Sequence, residues 1–248
     1  MALRIPKVRL DRLLVEKGLA SSQEKARALI YAGMVRVDQL PALKPGKTID
    51  PELPLEVKQA EHPYVGRGGV KLDKALADFG IEVRGQTALD IGASTGGFTH
   101  CLLLRGIKQV YAIDIGYGQL AWEIRQDPRV KVMERKNVRF LTLSDIGEQV
   151  DLMVVDTSFI SLTLVIPPLI PILKDQGEMV ALIKPQFEVG KGKVGKGGVV
   201  RNEEDQKTVI KGLALFFKKI GLSVLGTIES PIQGAKGNRE FFTYLRKG

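Results

Sequence analysis

Apolar positions follow two different periods in this chain. Near the N-terminus Leu10, Leu13 and Leu14 recur at helical spacing, and Gly18 follows where a permissive backbone ends a short helix. Ser21-Ser22-Gln23-Glu24 reads as a capping box, in which a hydroxyl and a carboxylate three residues on satisfy opposite amide donors. The helix it opens places Ala26, Leu29 and Ile30 on one face and stops before Gly33. Met34–Val37 alternates as a short strand, and turn residues and P-A-L-K-P-G-K follow. Two short helices and a small hairpin bury little by themselves, so this module is expected to act through a surface.

Further on, strand and helix patterns alternate, as in a parallel sheet covered on both faces. The predicted strands are Ala88–Ile91, Val110–Asp114, Lys131–Glu134, Leu152–Asp156, Met179–Lys184, Ser223–Ile228 and Glu240–Leu245. Helices are predicted near Val70–Phe79, Gly97–Arg105, Leu120–Arg125, Leu162–Leu173 and Glu203–Ile220, the last capped by Asn202. Pro231–Asn238 leaves no room for a helix between the final two strands, which are therefore expected to pair antiparallel. The pattern predicts an α/β domain over 67–248, a joint at 61–66 (E-H-P-Y-V-G) and a small α+β module over 1–60.

Charge adds a partner. Among 248 residues, 37 Lys and Arg outnumber 28 Asp and Glu, a net charge of +9 that points to a polyanion, RNA or DNA before membrane. Lys7, Arg9, Arg12, Lys25, Arg27 and Arg36 cluster around the two N-terminal helices as a track for phosphates. One cysteine, Cys101, excludes an internal disulfide and falls in an apolar run; two histidines leave little for a metal site, and none is expected. The N-terminus has no signal-peptide core, and Leu162–Leu173 is short of a span and holds three prolines. A soluble cytoplasmic protein without a membrane segment is expected; the oligomeric state is left open.

The strand–loop–helix Ala88–Phe98 (A-L-D-I-G-A-S-T-G-G-F) carries the first chemical signal. Asp90 ends a strand, and Gly92, Ser94, Thr95, Gly96 and Gly97 turn the chain into a helix whose N-terminus a ligand can approach. Asp114 ends the next strand, where a carboxylate can accept both hydroxyls of a ribose. Nicotinamide binding would prefer G-x-G-x-x-G, and Ser94 stands where its middle glycine would be. The D-x-G-x-(G/S)-x-G frame fits S-adenosyl-L-methionine better, since that ligand has no pyrophosphate to hold. Phe98, Asn137 and Asp156 are further candidates around it.

Four charged residues are candidates for catalysis: Lys71 in G-R-G-G-V-K-L, Asp156 in V-V-D-T-S-F, Lys184 in L-I-K-P-Q-F and Glu240 in G-N-R-E-F-F. Asp156 and Lys184 end consecutive strands and should open into the crevice at the sheet's carboxyl edge. Periodicity alone does not bring the four together.

The N-terminal stretch L-D-R-L-L-V-E-K-G-L-A-S-S-Q-E-K-A-R-A-L-I-Y-A-G-M-V-R-V-D resembles the RNA-binding module named after ribosomal small-subunit protein four. It departs at Asp38-Gln39, where the hairpin turn is usually Asn-Gly or Asp-Gly. Residues 64–72, 90–99, 111–120, 156–161, 184–190 and 237–241 resemble the TlyA, or haemolysin-A-type, ribosomal RNA methyltransferases, whose catalytic domain is related to the FtsJ (RrmJ) 2′-O-methyltransferases. The resemblance implies a Rossmann-like class I methyltransferase domain and a Lys–Asp–Lys–Glu tetrad at Lys71, Asp156, Lys184 and Glu240. It further implies S-adenosyl-L-methionine as cofactor and ribosomal RNA or ribosomal subunits as partner. Lys184 is then the candidate proton acceptor, Lys71 supplies positive charge, and the two carboxylates orient the lysines.

Three other readings compete. Base methylation would prefer D/N-P-P-Y/F, and Asp156-Thr157-Ser158-Phe159 lacks both prolines. A catalytically inactive ribosome-assembly protein would not need the four charged residues. A membrane-lytic haemolysin would need an apolar span. Lys191–Arg201 is glycine-rich and basic, and is expected to be a mobile flap over RNA.

Overall fold

The computed structural model describes residues 6–20, 22–31, 33–42, 44–57, 62–190 and 192–248. The chain divides into two compact units, Met1–Pro63 and Tyr64–Gly248.

In the first unit strand β1 (Val8–Arg9) leads into helices α1 (Leu10–Glu16) and α2 (Gln23–Tyr31). Leu10, Leu13, Leu14, Ala26 and Ile30 are buried between them, and each buried leucine contributes about 1.5–3 kcal/mol. Ser21 of the expected capping box lies outside the described residues, while Ser22 Oγ accepts from the Lys25 amide at 3.1 Å. Instead of one hairpin there are two small sheets. Strands β2 (Val35–Val37), β3 (Leu40–Pro41) and β5 (Leu55–Val57) form one in the order β3-β2-β5, and β4 (Thr48–Ile49) pairs with β1. Asp38 and Gln39 both have positive φ, 50° and 65°, so this pair adopts the type I′ turn without its usual glycine.

The second unit alternates helices and strands: α3 (Gly68–Phe79), β6 (Thr87–Ile91), α4 (Gly97–Leu104), β7 (Gln109–Ile113), α5 (Trp122–Arg125), β8 (Val130–Met133), α6 (Leu143–Ile146) and β9 (Val150–Val155). Then come α7 (Leu162–Val165), β10 (Leu173–Ile183), α8 (Pro185–Glu188), α9 (Glu203–Lys219), β11 (Leu222–Glu229) and β12 (Phe241–Lys247). The sheet order is β11-β12-β10-β9-β6-β7-β8, with β12 antiparallel to both neighbours. Alternation along the strands builds two cores. Leu89, Ile91, Met153, Val155, Met179 and Ala181 face α9, while Ala88, Leu152, Val154, Val180 and Leu182 face α3 and α4. Asn202 Oδ1 accepts from the Glu204 and Asp205 amides, capping α9.

One predicted element is corrected. The helix expected over Leu162–Leu173 ends at Val165, tight 3-10 turns span Pro167–Ile172, and β10 already begins at Leu173. Pro167, Pro168 and Pro171 lack the amide hydrogens that an α-helix there would use. The joint also differs, because Tyr64–Gly66 packs on the second unit. The Val65 amide donates to His100 Nδ1 at 3.1 Å, and the Tyr64 ring fills the space beside Gly69.

Candidate active site

All parallel strands of the sheet end at one edge, so the loops after β6, β7, β8, β9 and β10 meet there. Gly92 follows β6 with φ +86°, and a Cβ on it would fall on the carbonyl oxygen of Asp156. Glycine is needed here because a neighbouring strand comes this close, a reason distinct from ligand access. At Gly96, φ +93°, a side chain would run into Leu120.

Two cavities open at this edge. The larger, about 530 Å³, is lined by Ser94, Asp114, Asn137, Asp156, Thr157 and Phe159, with Ile91, Ile113, Ile115, Val138 and Ile160 as apolar walls. That volume lies in the range of small-ligand sites, about 300–1,000 Å³. The smaller, about 230 Å³, is lined by Arg67, Lys71, Gly92, Ser94, Thr95, Gly97, Phe98 and Asp156. Gly92, Ser94 and Asp156 belong to both.

Asp114 presents its carboxylate to the larger cavity and already accepts the Ser94 amide at 2.8 Å and the Gly116 amide at 2.7 Å. Each oxygen keeps a lone pair for a further donor. Asn137 Oδ1 accepts the Arg139 amide. Asp90 and Gly96 line neither cavity. Asp90 is fully buried, and its Oδ2 accepts from Thr99 Oγ1 at 2.6 Å while Oδ1 has no hydrogen-bond partner. Burial raises this carboxyl to about 7, against the smaller opposing effect of Thr99.

The four charged candidates form two ion pairs. Lys71 Nζ lies 2.6 Å from Glu240 Oε2, the side chains 11% and 3% exposed. Lys184 Nζ lies 2.5 Å from Asp156 Oδ1, a close contact without hydrogen-bond alignment, and donates to Ser158 Oγ at 2.9 Å. Lys71 and Asp156 are on the cavity wall, with Glu240 and Lys184 as their respective partners. Which lysine pairs with which carboxylate had no signal in the sequence.

Sequence reading missed three features of the rim. Phe159 is 90% exposed at φ +64°, its ring 5.1 Å from that of Phe187. The Arg135 guanidinium lies over the Tyr117 ring at 4.2 Å, and Ile115, Tyr117 and Phe140 are exposed. Glu188 accepts from Ser161 Oγ and the Leu162 amide. An aromatic placed directly after the polar run Asp156-Thr157-Ser158 was the available clue for Phe159.

The expected flap is tied down at its C-terminal end. Lys191 lies outside the described residues. Beyond it Gly195 bridges Val199, the Val200 amide donates to Asn238 Oδ1, and Gln206 Nε2 donates to the Val200 carbonyl at 2.7 Å. In the first unit Asp11 is wholly buried, with Arg9 at 2.8 Å and Arg27 at 3.1 Å from Oδ2. These guanidinium groups hold the Asp11 carboxyl far below the usual carboxylate range. Arg12 pairs with Glu16; Lys7 and Lys25 are exposed, and Arg36 is half-buried.

Among the described residues no cluster of His, Cys, Asp and Glu is arranged to hold a metal, and no helix is long and apolar enough to cross a membrane.

Comparison with known proteins agrees with this architecture. Residues 64–247 match the FtsJ-like methyltransferase family, and residues 8–53 match the S4 domain. The chain is 48% identical over 241 residues to the 16S/23S rRNA (cytidine-2′-O)-methyltransferase TlyA of Mycobacterium tuberculosis, covering 97% of this chain and 90% of that one. It is 38% identical to Hemolysin A of Brachyspira hyodysenteriae, covering 96% and 99% respectively. A solved structure from Streptococcus thermophilus, described as a candidate hemolysin, superimposes with a TM-score of 0.76 at 43% identity, covering 98% of this chain and 90% of that one. The chain therefore belongs to the FtsJ-like methyltransferases, in the TlyA family.

Proposed function

We propose that this enzyme transfers the methyl group of S-adenosyl-L-methionine to a ribose 2′-hydroxyl of ribosomal RNA. The observation that carries the reading is the place of Asp156. It lines both cavities and is paired with Lys184, while Lys71 on the wall of the smaller cavity is paired with Glu240. Relatives named as cytidine-2′-O-methyltransferases of 16S and 23S rRNA support the ribose.

The larger cavity fits an adenosine-type ligand. Asp114 would take the ribose hydroxyls, Ile115, Asn137, Val138 and Ile160 would border the base, and Gly92, Ser94 and Asp156 would border the methionine end. When bound, the cofactor supplies a methyl group already activated by its sulfonium. A ribose hydroxyl is a weak nucleophile until its proton is oriented away or removed. Lys184, steadied by Ser158 and paired with Asp156 of the shared wall, would accept that proton. Lys71 holds the hydroxyl or a neighbouring phosphate, and Glu240 fixes its position. Orientation for in-line transfer supplies much of the rate.

RNA fits the surroundings. Phe159 offers a bare aromatic face at the rim on which an unstacked base can lie. The basic side chains of the first unit suit phosphates. Ribosomal RNA as substrate implies a cytoplasmic place of work.

Lys184→Ala should keep the cofactor dissociation constant within about twofold and lower methyl transfer by about 10²–10⁴-fold. Full activity in that variant removes the assigned role. Nucleoside analysis of the methylated RNA should find the methyl on a 2′-oxygen; a methylated base would overturn the ribose reading.

A further inference from the structure

Two loops carry the chemistry at the sheet edge. One runs from Asp156 to Ser161 after β9, and the other opens with Lys184 after β10 and continues as α8. They touch at three successive places. At the base, Lys184 meets Asp156 and Ser158. Above that, the rings of Phe187 and Phe159 lie 5.1 Å apart. At the top, Glu188 Oε2 accepts from Ser161 Oγ at 2.6 Å, and Oε1 accepts from the Leu162 amide at 2.9 Å.

The third contact differs from the other two, because Glu188 lines neither cavity of the active site. Among the described residues it has no cation partner, and burial raises its carboxyl above the ordinary value. Two hydrogen bonds offset the cost of that burial, as expected of a carboxylate kept for its geometry. Its ligands begin where the Asp156 loop ends. Ser161 Oγ itself accepts from the Thr163 amide, so the seryl side chain is already fixed for the contact. Phe159 has the strained backbone of this loop and almost no packing of its own, being 90% exposed. Its position depends on what holds the loop at its two ends. One end is Asp156, whose carbonyl lies against Gly92; the other is Ser161–Leu162, held by Glu188.

We propose that Glu188 is a positioning residue for methyl transfer: it clamps the Asp156–Ser161 loop to α8 and so fixes both the Lys184–Asp156 pair and Phe159 for the RNA substrate. The clamp rests on the functional reading above, and it acts through the Asp156–Ser161 loop, which borders the larger cavity as well as carrying Phe159.

The test compares Glu188→Ala, Glu188→Gln and Ser161→Ala in the full chain. The amide of Gln can accept from the Leu162 amide and donate to Ser161 Oγ, so it keeps the clamp without the charge. Glu188→Ala should lower kcat by about tenfold or more and raise KM for undermethylated ribosomal RNA, with a smaller loss of cofactor affinity than of turnover. Ser161→Ala should fall between, and Glu188→Gln should return to within about threefold of the parent. Amide hydrogen exchange across residues 156–162 should quicken in Glu188→Ala and not in Glu188→Gln.

Parent-like kcat and KM in both Glu188→Ala and Ser161→Ala would overturn the proposal. So would equal losses of cofactor affinity, melting temperature and turnover in the Ala and Gln variants, which would mark Glu188 as a general stabiliser. Should Glu188→Ala fail to fold, Ser161→Ala decides by the same kinetic split. Exchange needs no substrate: if the parent methylates no ribosomal RNA, the functional reading fails, and unchanged exchange alone counts against the clamp.

Discussion

Gly234 lies against the carboxylate of Glu240, so that a Cβ on Gly234 would overlap Oε1. The loop before β12 thereby presses on the group that holds Lys71. Gly234→Ala should displace Glu240 and loosen Lys71 in the wall of the smaller cavity, leaving the larger cavity untouched. The expected result is a loss of about 10–100-fold in kcat with an unchanged cofactor dissociation constant. Steady-state kinetics beside calorimetric cofactor titration checks it, and parent-like turnover would show that Glu240 tolerates the shift.

Asp11 gives a prediction with a counterintuitive sign. It is a negative charge within a basic unit, and simple electrostatics says that removing it should strengthen RNA binding. Its carboxylate, however, fixes Arg9 and Arg27 side by side. Asp11→Asn frees both guanidinium groups, and affinity for ribosomal RNA should fall by about tenfold. Filter binding at two salt concentrations measures this, with tighter binding as the contrary result.

Asp90 should make stability depend on pH. Its carboxyl is raised from 3.8 to about 7 by burial, so the folded state binds the proton more tightly than the unfolded chain. The stabilisation is full at low pH and is lost as pH rises through about 7. Asp90→Asn abolishes this titration and can keep the bond to Thr99. The stability of the variant relative to the parent should therefore climb with pH, by at most about 1.4 kcal/mol per unit, between roughly 4 and 7, and level off above. Chemical denaturation at several pH values reads the slope directly.

What sequence could and could not disclose follows the range of each signal. The strands, the Asp90–Phe98 loop and the Asn202 cap were readable because each is written within a few adjacent residues. The pairing of Lys71 with Glu240 joins residues 169 positions apart, and the clamp from Glu188 to Ser161 joins residues 27 apart. No local period encodes such contacts. Asp90 fails differently: a carboxylate at a strand end reads the same whether it faces a ligand or the interior, and here it turns inward to Thr99. At Leu162–Leu173 hydrophobic spacing suggested a helix that three prolines convert into 3-10 turns.

The contact between Gly92 and the carbonyl of Asp156 is made by main chain on main chain. The span across the shared wall of the two cavities is therefore set by the register of neighbouring strands, not by any side chain. Substitutions can retune recognition on either side of that wall, but its thickness belongs to the fold.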